Sequence, residues 1–286
     1  MAGPDVRGDD RGMKPSLLFL PLLACLFSCR KPLPEPAEAR PAHTVDAHWG
    51  YVGEGGPEYW PRLSPAYAAC GQGGGQSPVD IVQNASGSTG AWRIDYRSTS
   101  LKIAHHEHVI NIVDNGHTIQ VTVDEGSRLT TDRGAYTLKQ FHFHTPSEHA
   151  IDGSRFPMEV HFVHQDAEGR FAVVAALYQV GPENENLAKI IPHLPKVKGG
   201  SADLADVRLE LAFHLPPTNA SYSYMGSLTT PPCSENVEWL VFRDPISASA
   251  AQLETFARVL GPTSRPLQPL NGRSIGMRST VGRISR

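Results

Sequence analysis

The sequence predicts a mostly β fold, with two helices, in one compact domain from about residue 45 to the end. Three observations predict it. The 286 residues include 26 glycines and 24 prolines, a share that suits many turns and short strands. Several segments alternate apolar and polar residues with a period of two. Only two segments carry a helical pattern.

The strands follow in order. "HVINIVDNGHTIQVTV" reads as two alternating runs joined through Asp114, Asn115 and Gly116, a hairpin signal. "YTLKQFHFHT", "PMEVHFVHQ", "RFAVVAALYQV" and "VEWLVFRDPI" read as further strands. The third of these lacks alternation, as a strand buried on both faces would. "ENENLAKIIPHL" reads as a helix that Pro192 must bend or end. "SASAAQLETFARVL" reads as a second, capped by Ser247 or Ser249 and stopped by Gly261-Pro262. Leu253, Phe256 and Leu260 form its apolar face.

The charge is nearly balanced, with 26 basic and 29 acidic residues and a net charge of −3. No basic stripe with interleaved aromatics is present, so a nucleic-acid partner is not expected. The first residues differ in kind. Ser16 to Ser28 is almost entirely apolar, with Lys14 before it and Arg30-Lys31 after it. The run is too short to span a bilayer and Pro21 interrupts it, so residues 1–29 read as an export or lipoprotein signal. "MKPSLLFL" makes Met13 the more natural start. Cys25 and Cys29 each follow a small residue and are candidates for a lipid anchor, although Leu23 and Phe27 are bulky where a small residue is preferred. The alternative is a soluble product cleaved after Ala39. Residues 30–44 read as a Pro-rich tether. The expected location is therefore outside the cytoplasm, periplasmic or membrane-anchored in a bacterium. Cys70 and Cys233 remain. An oxidising compartment favours a disulfide between them, the alternative being two buried free thiols.

"QFHFHTPSEH" holds three histidines and a glutamate between Gln140 and His149. On a strand His142 and His144 point one way, and Phe141 and Phe143 the other. In "MEVHFVH", Glu159, His161 and Val163 share one face. If the two strands pair antiparallel, His161 lies across from the His142/His144 pair. Three neutral nitrogen ligands with an open fourth position suit a catalytic zinc ion better than a structural one, which would recruit thiolates. Gln140 and Glu159 stand two residues before His142 and His161, where each can orient its neighbour's ring. "AHHEHVI", with His105, His106 and His108, reads as a solvated strand end rather than a second metal site.

These blocks resemble the zinc-binding core of the alpha-class carbonic anhydrases. "HWGYVGEGGPEYW", "GQSPVDI", "NGHTIQV", "YMGSLTTPPCSENVEW" and "RPLQPLNGR" resemble further family segments in the same order. The resemblance implies a large, twisted, mainly antiparallel sheet with short peripheral helices and a conical zinc cleft. It implies reversible hydration of carbon dioxide to bicarbonate and a proton through a zinc-bound hydroxide. By motif position His142, His144 and His161 would hold Zn2+. Thr229 would accept a hydrogen bond from the hydroxide and donate its own proton to Glu148. Thr229, Thr230, Val163, Val173, Leu228 and Trp239 would meet the substrate, and His117 would shuttle protons. Tyr51, Asn115 and Gln120 would order water, with Tyr224 and His149 as supports. Cys70 and Cys233 match a disulfide of the exported bacterial branch. The expected assembly is a monomer or homodimer. "TPSEH" is shorter than the matching loop of the animal enzymes, and Thr145 stands where they carry tryptophan. A catalytically silent binding domain on the same fold is the alternative; such members typically lose a zinc histidine, and this chain keeps all three.

Overall fold

The computed structural model describes residues 48–82, 88–106, 118–196, 200–218 and 220–280. The leader, the tether and the hairpin at Asp114–Gly116 lie outside the described residues, as do Asn115, His117 and His108. Among the described residues there are fifteen strands: β1 Asp80–Ile81, β2 Ser88–Asp95, β3 Thr99–His106, β4 Thr118–Thr122, β5 Arg128–Thr131, β6 Gly134–His144, β7 Ala150–Ile151, β8 Ser154–Arg155, β9 Met158–Gln165, β10 Phe171–Val180, β11 Ser201–Leu209, β12 Ala220–Ser227, β13 Glu235–Phe242, β14 Ile246–Ala248 and β15 Gly276–Thr280. The helices are short: α1 Trp60–Leu63, α2 Ala69–Gln72, α3 Glu185–Ile190 and α4 Ala250–Leu260. The predicted class, mostly β with peripheral helices, is the observed one.

Twelve strands form the main sheet. Its pairing path runs β11–β3–β4–β6–β5–β2–β15–β12–β13–β10–β14, and β9 bridges β6 and β10. Most neighbours are antiparallel, while β10 runs parallel to both β13 and β14, and β15 runs parallel to β2. The absent alternation of β10 has its reason here. It is flanked by β9 and β13, and Ala172 through Tyr178 are buried on both faces.

Strand alternation then sorts the side chains. Phe141, Phe143, Val160 and Phe162 enter the larger core with Trp92, Leu240 and Phe256. Val163, Val173, Leu228 and Trp239 enter a second core on the other side. Trp49, Trp60 and Tyr67 form a third, packed around Cys70 and Cys233. Those cysteines are bonded to each other, with their Cα atoms 5.0 Å apart, which decides the disulfide against the free thiols.

Both predicted helices form. α3 passes into a 3-10 turn at Ile191–His193, with Pro192 where its missing N–H breaks no helical bond. Ser249, not Ser247, caps α4, in a reciprocal capping box with Gln252. Gly261 ends it at φ 67°, a backbone conformation that favours glycine.

Candidate active site

Register places the site. His142 of β6 pairs with His161 of β9, and His144 pairs with Glu159. Next to that row runs another across five strands: Gln140, Val163, Val173, Trp239 and Tyr224 are partnered in turn. A row of histidines therefore lies alongside a row made chiefly of apolar groups, on one sheet face. Residues two apart on a strand share that face about 7 Å from each other.

The three rings converge as the alternation predicts. Their centroids are 4.9 Å apart for His142–His144, 5.3 Å for His142–His161 and 4.6 Å for His144–His161. One nitrogen from each lies within 4.8 Å of the others. All three are buried.

The outward nitrogens are engaged. His142 Nδ1 meets Gln140 Oε1 at 2.9 Å, and His161 Nε2 meets Glu159 Oε1 at 2.8 Å. His144 Nδ1 meets the Thr263 carbonyl at 2.7 Å. A carbonyl or carboxylate oxygen can only accept, so each of these ring nitrogens donates its proton. The remaining nitrogens, Nε2 of His142 and His144 and Nδ1 of His161, then carry lone pairs. Glu148 Oε2 joins them, 3.6 Å from His144 Nε2 and 3.9 Å from His161 Nδ1. His144 Nε2 and Glu148 Oε2 are both buried without a hydrogen-bond partner. Buried acceptors facing one another repel unless a cation lies among them. The donor set fits a zinc ion: three neutral imidazoles whose outer N–H groups are held.

The electrostatics agree. Burial, and then the charges of His144 and His161, push the His142 imidazole well below its ordinary pKa. Burial likewise lowers His144, with Glu148 opposing it. Burial alone would raise the Glu159 carboxyl, yet His149 and His161 hold it well below the carboxylate range. Glu159 is thus the ionised hub of a hydrogen-bonded chain. Its Oε2 accepts the backbone N–H groups of Glu148 and His149, each at 2.8 Å. Its Oε1 also accepts from His149 Nδ1 at 2.7 Å. His149 Nε2 is therefore left as an acceptor for the Tyr224 hydroxyl, 2.7 Å away, and Tyr224 meets Ser77 Oγ at 2.9 Å. His149, Glu159 and His161 also sit as a cluster that can hold a metal, but His149 Nδ1 and His161 Nε2 are spent on Glu159 Oε1, and His149 Nε2 on Tyr224.

A pocket opens onto the three histidines. Val163, Val173, Leu228 and Trp239 line it, with Thr229, Thr230 and Tyr51. Trp239 stands edge-on to His149 and His161, each 4.9 Å away, and its Nε1 donates to the Ser227 carbonyl at 3.0 Å. Gln120 is registered with His142 across β4 and β6, and its Oε1 is buried without a partner. Gly226 admits this packing: a Cβ there would collide with Ser77 Oγ and sit 2.9 Å from Trp239 Cδ1.

One expectation fails in this geometry. The Thr229 hydroxyl does not bond to Glu148. Glu148 Oε1 is taken by the Arg265 N–H at 2.9 Å, and Oε2 is turned toward the imidazoles. Other residues were missed by sequence reasoning. Trp49 and Thr118 also line the pocket, and Thr263 and Arg265 contact His144 and Glu148. Trp49 and Arg265 lie inside segments quoted for the resemblance, but nothing in their side-chain types pointed to a role.

A family model for eukaryotic-type carbonic anhydrase matches residues 55–279. The chain belongs to the alpha carbonic anhydrase family. It is 42% identical over 236 residues to a carbonic anhydrase of Pectobacterium carotovorum, covering 81% of this chain and 91% of that one. It is 40% identical over 267 residues to one of Neisseria gonorrhoeae, covering 91% and 96%. Among solved structures it is similar to the alpha carbonic anhydrase of Thermovibrio ammonificans in complex with sulfanilamide. There the TM-score is 0.74 and the identity 39%, covering 80% of this chain and 99% of that one. That carbonic anhydrase binds an inhibitor, and this chain shares its fold.

Proposed function

We propose that the chain is an exported zinc enzyme catalysing the reversible hydration of carbon dioxide to bicarbonate and a proton. One observation carries the reading: three imidazole lone pairs converge beside a wall of Val163, Val173, Leu228 and Trp239. Carbon dioxide is small and apolar, so it needs that wall rather than charge. His142, His144 and His161 would hold the zinc. When bound, zinc supplies Lewis acidity and lowers the pKa of water to about 7, a general property of carbonic anhydrase zinc sites and not a quantity read from this chain.

The chain's own groups do the rest. Gln140, Glu159 and the Thr263 carbonyl fix the three rings. Thr229 and Thr230 stand at the pocket wall, where a hydroxyl and a backbone N–H can hold a substrate oxygen. Tyr51, Asn115 and Gln120 order water, and His117 carries protons outward, since an imidazole titrates near neutral pH. Export is supported by the Cys70–Cys233 disulfide and by the apolar run at Ser16–Ser28.

The test is stopped-flow carbon dioxide hydration with zinc determined on the same sample. Fast hydration with about one zinc per chain is expected, and one zinc with no hydration sinks the enzymatic reading. His117→Ala should keep zinc, slow in weak buffer and recover with added imidazole. Full activity in weak buffer would remove His117 from the proton path.

A further inference from the structure

Two partners of the site are backbone atoms of a single stretch, Thr263 to Arg265. The Thr263 carbonyl accepts from His144 Nδ1, and the Arg265 N–H donates to Glu148 Oε1. The stretch is laced along the Thr145–Ser147 loop. The Thr263 N–H donates to the Thr145 carbonyl at 2.9 Å, the Thr145 N–H to Thr263 Oγ1 at 3.0 Å, and Ser264 Oγ to the Pro146 carbonyl. Backbone atoms aim a ring or a carboxylate only as well as the backbone itself is held.

The side chain of Arg265 does the holding. It is 2% exposed. Its Nη1 donates to the Ser77 carbonyl and its Nη2 to the Cys70 carbonyl, both at 2.7 Å, and the guanidinium lies 5.6 Å from the Trp60 ring centre. Burial lowers its pKa to about 10. A cation with such acceptors and no direct carboxylate partner is a costly way to fill space, and an apolar residue of the same size would pack at lower cost. What a guanidinium adds is a rigid fork that spans two carbonyls at once. Arg155 fastens the same stretch from the other side, with Nη1 on the Ser147 carbonyl at 2.7 Å and Nη2 on the Arg265 carbonyl at 2.9 Å.

We propose that Arg265 is a positioning residue for the metal site, with Arg155 as its second fastener. Arg265 bolts the Thr263–Arg265 stretch to the Cys70–Ser77 segment, and through that stretch sets the ring of His144 and the carboxylate of Glu148. The proposal rests on the reading of the three histidines as zinc ligands, and not on the reaction catalysed.

The test compares Arg265→Lys and Arg155→Met with Arg278→Met, which breaks a remote buried pair with Glu238. Each zinc-loaded protein is mixed with excess chelator to read zinc release, then assayed for kcat and KM and for thermal stability. Arg265→Lys should release zinc about 10–100-fold faster, as loss of a ligand-orienting contact does, and lose kcat with little change in KM. Arg155→Met should shift release the same way by a few-fold. Arg278→Met should lose stability and release zinc at the parental rate. Parental release and kcat in Arg265→Lys and Arg155→Met, with only stability lowered, would overturn the proposal. If Arg265→Lys does not fold, Arg155→Met decides by the same criterion. A parent that holds zinc without hydrating carbon dioxide defeats the proposed activity and leaves this test intact. A parent that takes up no zinc defeats both.

Discussion

His161 and His164 sit three residues apart on one strand and face opposite sides of the sheet. Both are buried. His164 meets Tyr96 Oη at 2.8 Å through Nε2 and the Ala172 carbonyl at 3.2 Å through Nδ1. His214, also on the aromatic side, bonds Tyr178 Oη through Nδ1 at 2.6 Å and leaves Nε2 unpartnered among Phe141, Phe143 and Phe162. Burial lowers His164 and His214 to a pKa of about 3 and lowers His142 and His144 as well. Depth and weakened basicity therefore do not separate the two faces. Convergence does. Three lone pairs meet on one face, while His164 has spent both nitrogens and the free nitrogen of His214 has no second ligand beside it.

The difference can be broken at either face. The largest effect is expected from His161→Ala, which should take zinc from about one per chain to near none and abolish hydration; His164→Ala should keep the zinc. Metal analysis of the two side by side is the check, and zinc retained in His161→Ala would mean the convergence is structural. Glu159→Gln should come next. It removes the charge that holds His161 and His149, and zinc transfer to a chelator should speed up about 10–100-fold. An unchanged transfer rate would leave Glu159 as scaffold only.

The aromatic face is sharpened by pH. The folded pKa of His214 is about 3, below its unfolded value near 6.5. Its neutral burial thus contributes full stability above about pH 6.5, and that contribution drains away as pH falls toward 3. Each such group adds a slope of about 1.4 kcal/mol per pH unit. Denaturant titrations across that window should show a shallower fall for His214→Phe than for the parent. Equal slopes would mean that His214 is charged in the folded protein. Smallest is Tyr96→Phe, which removes one hydrogen bond to His164 and should lower stability by about 1 kcal/mol without touching zinc content.

The parts that could be read from sequence were those written in side-chain type and period. Phe141 and Phe143 against His142 and His144 declared a strand and its two faces. Gln140 and Glu159 declared themselves by standing two residues from a histidine. A serine ahead of an apolar helical face declared the start of α4, although only the fold chose Ser249, paired with Gln252, over Ser247. β12 was not among the predicted strands, although "ASYSYMGS" alternates serine with tyrosine; its serines are buried along with its tyrosines between β13 and β15, so the alternation does not mark a solvent face. The Thr263 carbonyl and the Arg265 N–H were not legible either. A backbone group has no residue type, so only the fold reveals that it faces His144 or Glu148. The Thr229–Glu148 bond was expected from motif position alone, and the Arg265 N–H that meets Glu148 Oε1 could not be foreseen from it.

The Cys70–Cys233 bond joins residues at a sequence separation of 163, and all three zinc-candidate histidines fall inside the loop it closes. Thr263 and Arg265 fall outside, some thirty residues downstream. A chain delivered from its amino end therefore presents His142, His144 and His161 first, the cysteine that closes the ring next, and the atoms that aim His144 and Glu148 last. A nascent chain halted just after Cys233 would own every imidazole of the site, and a ring to hold them, yet lack the final alignment. Completion of the site is thereby tied to delivery of the chain as far as Arg265.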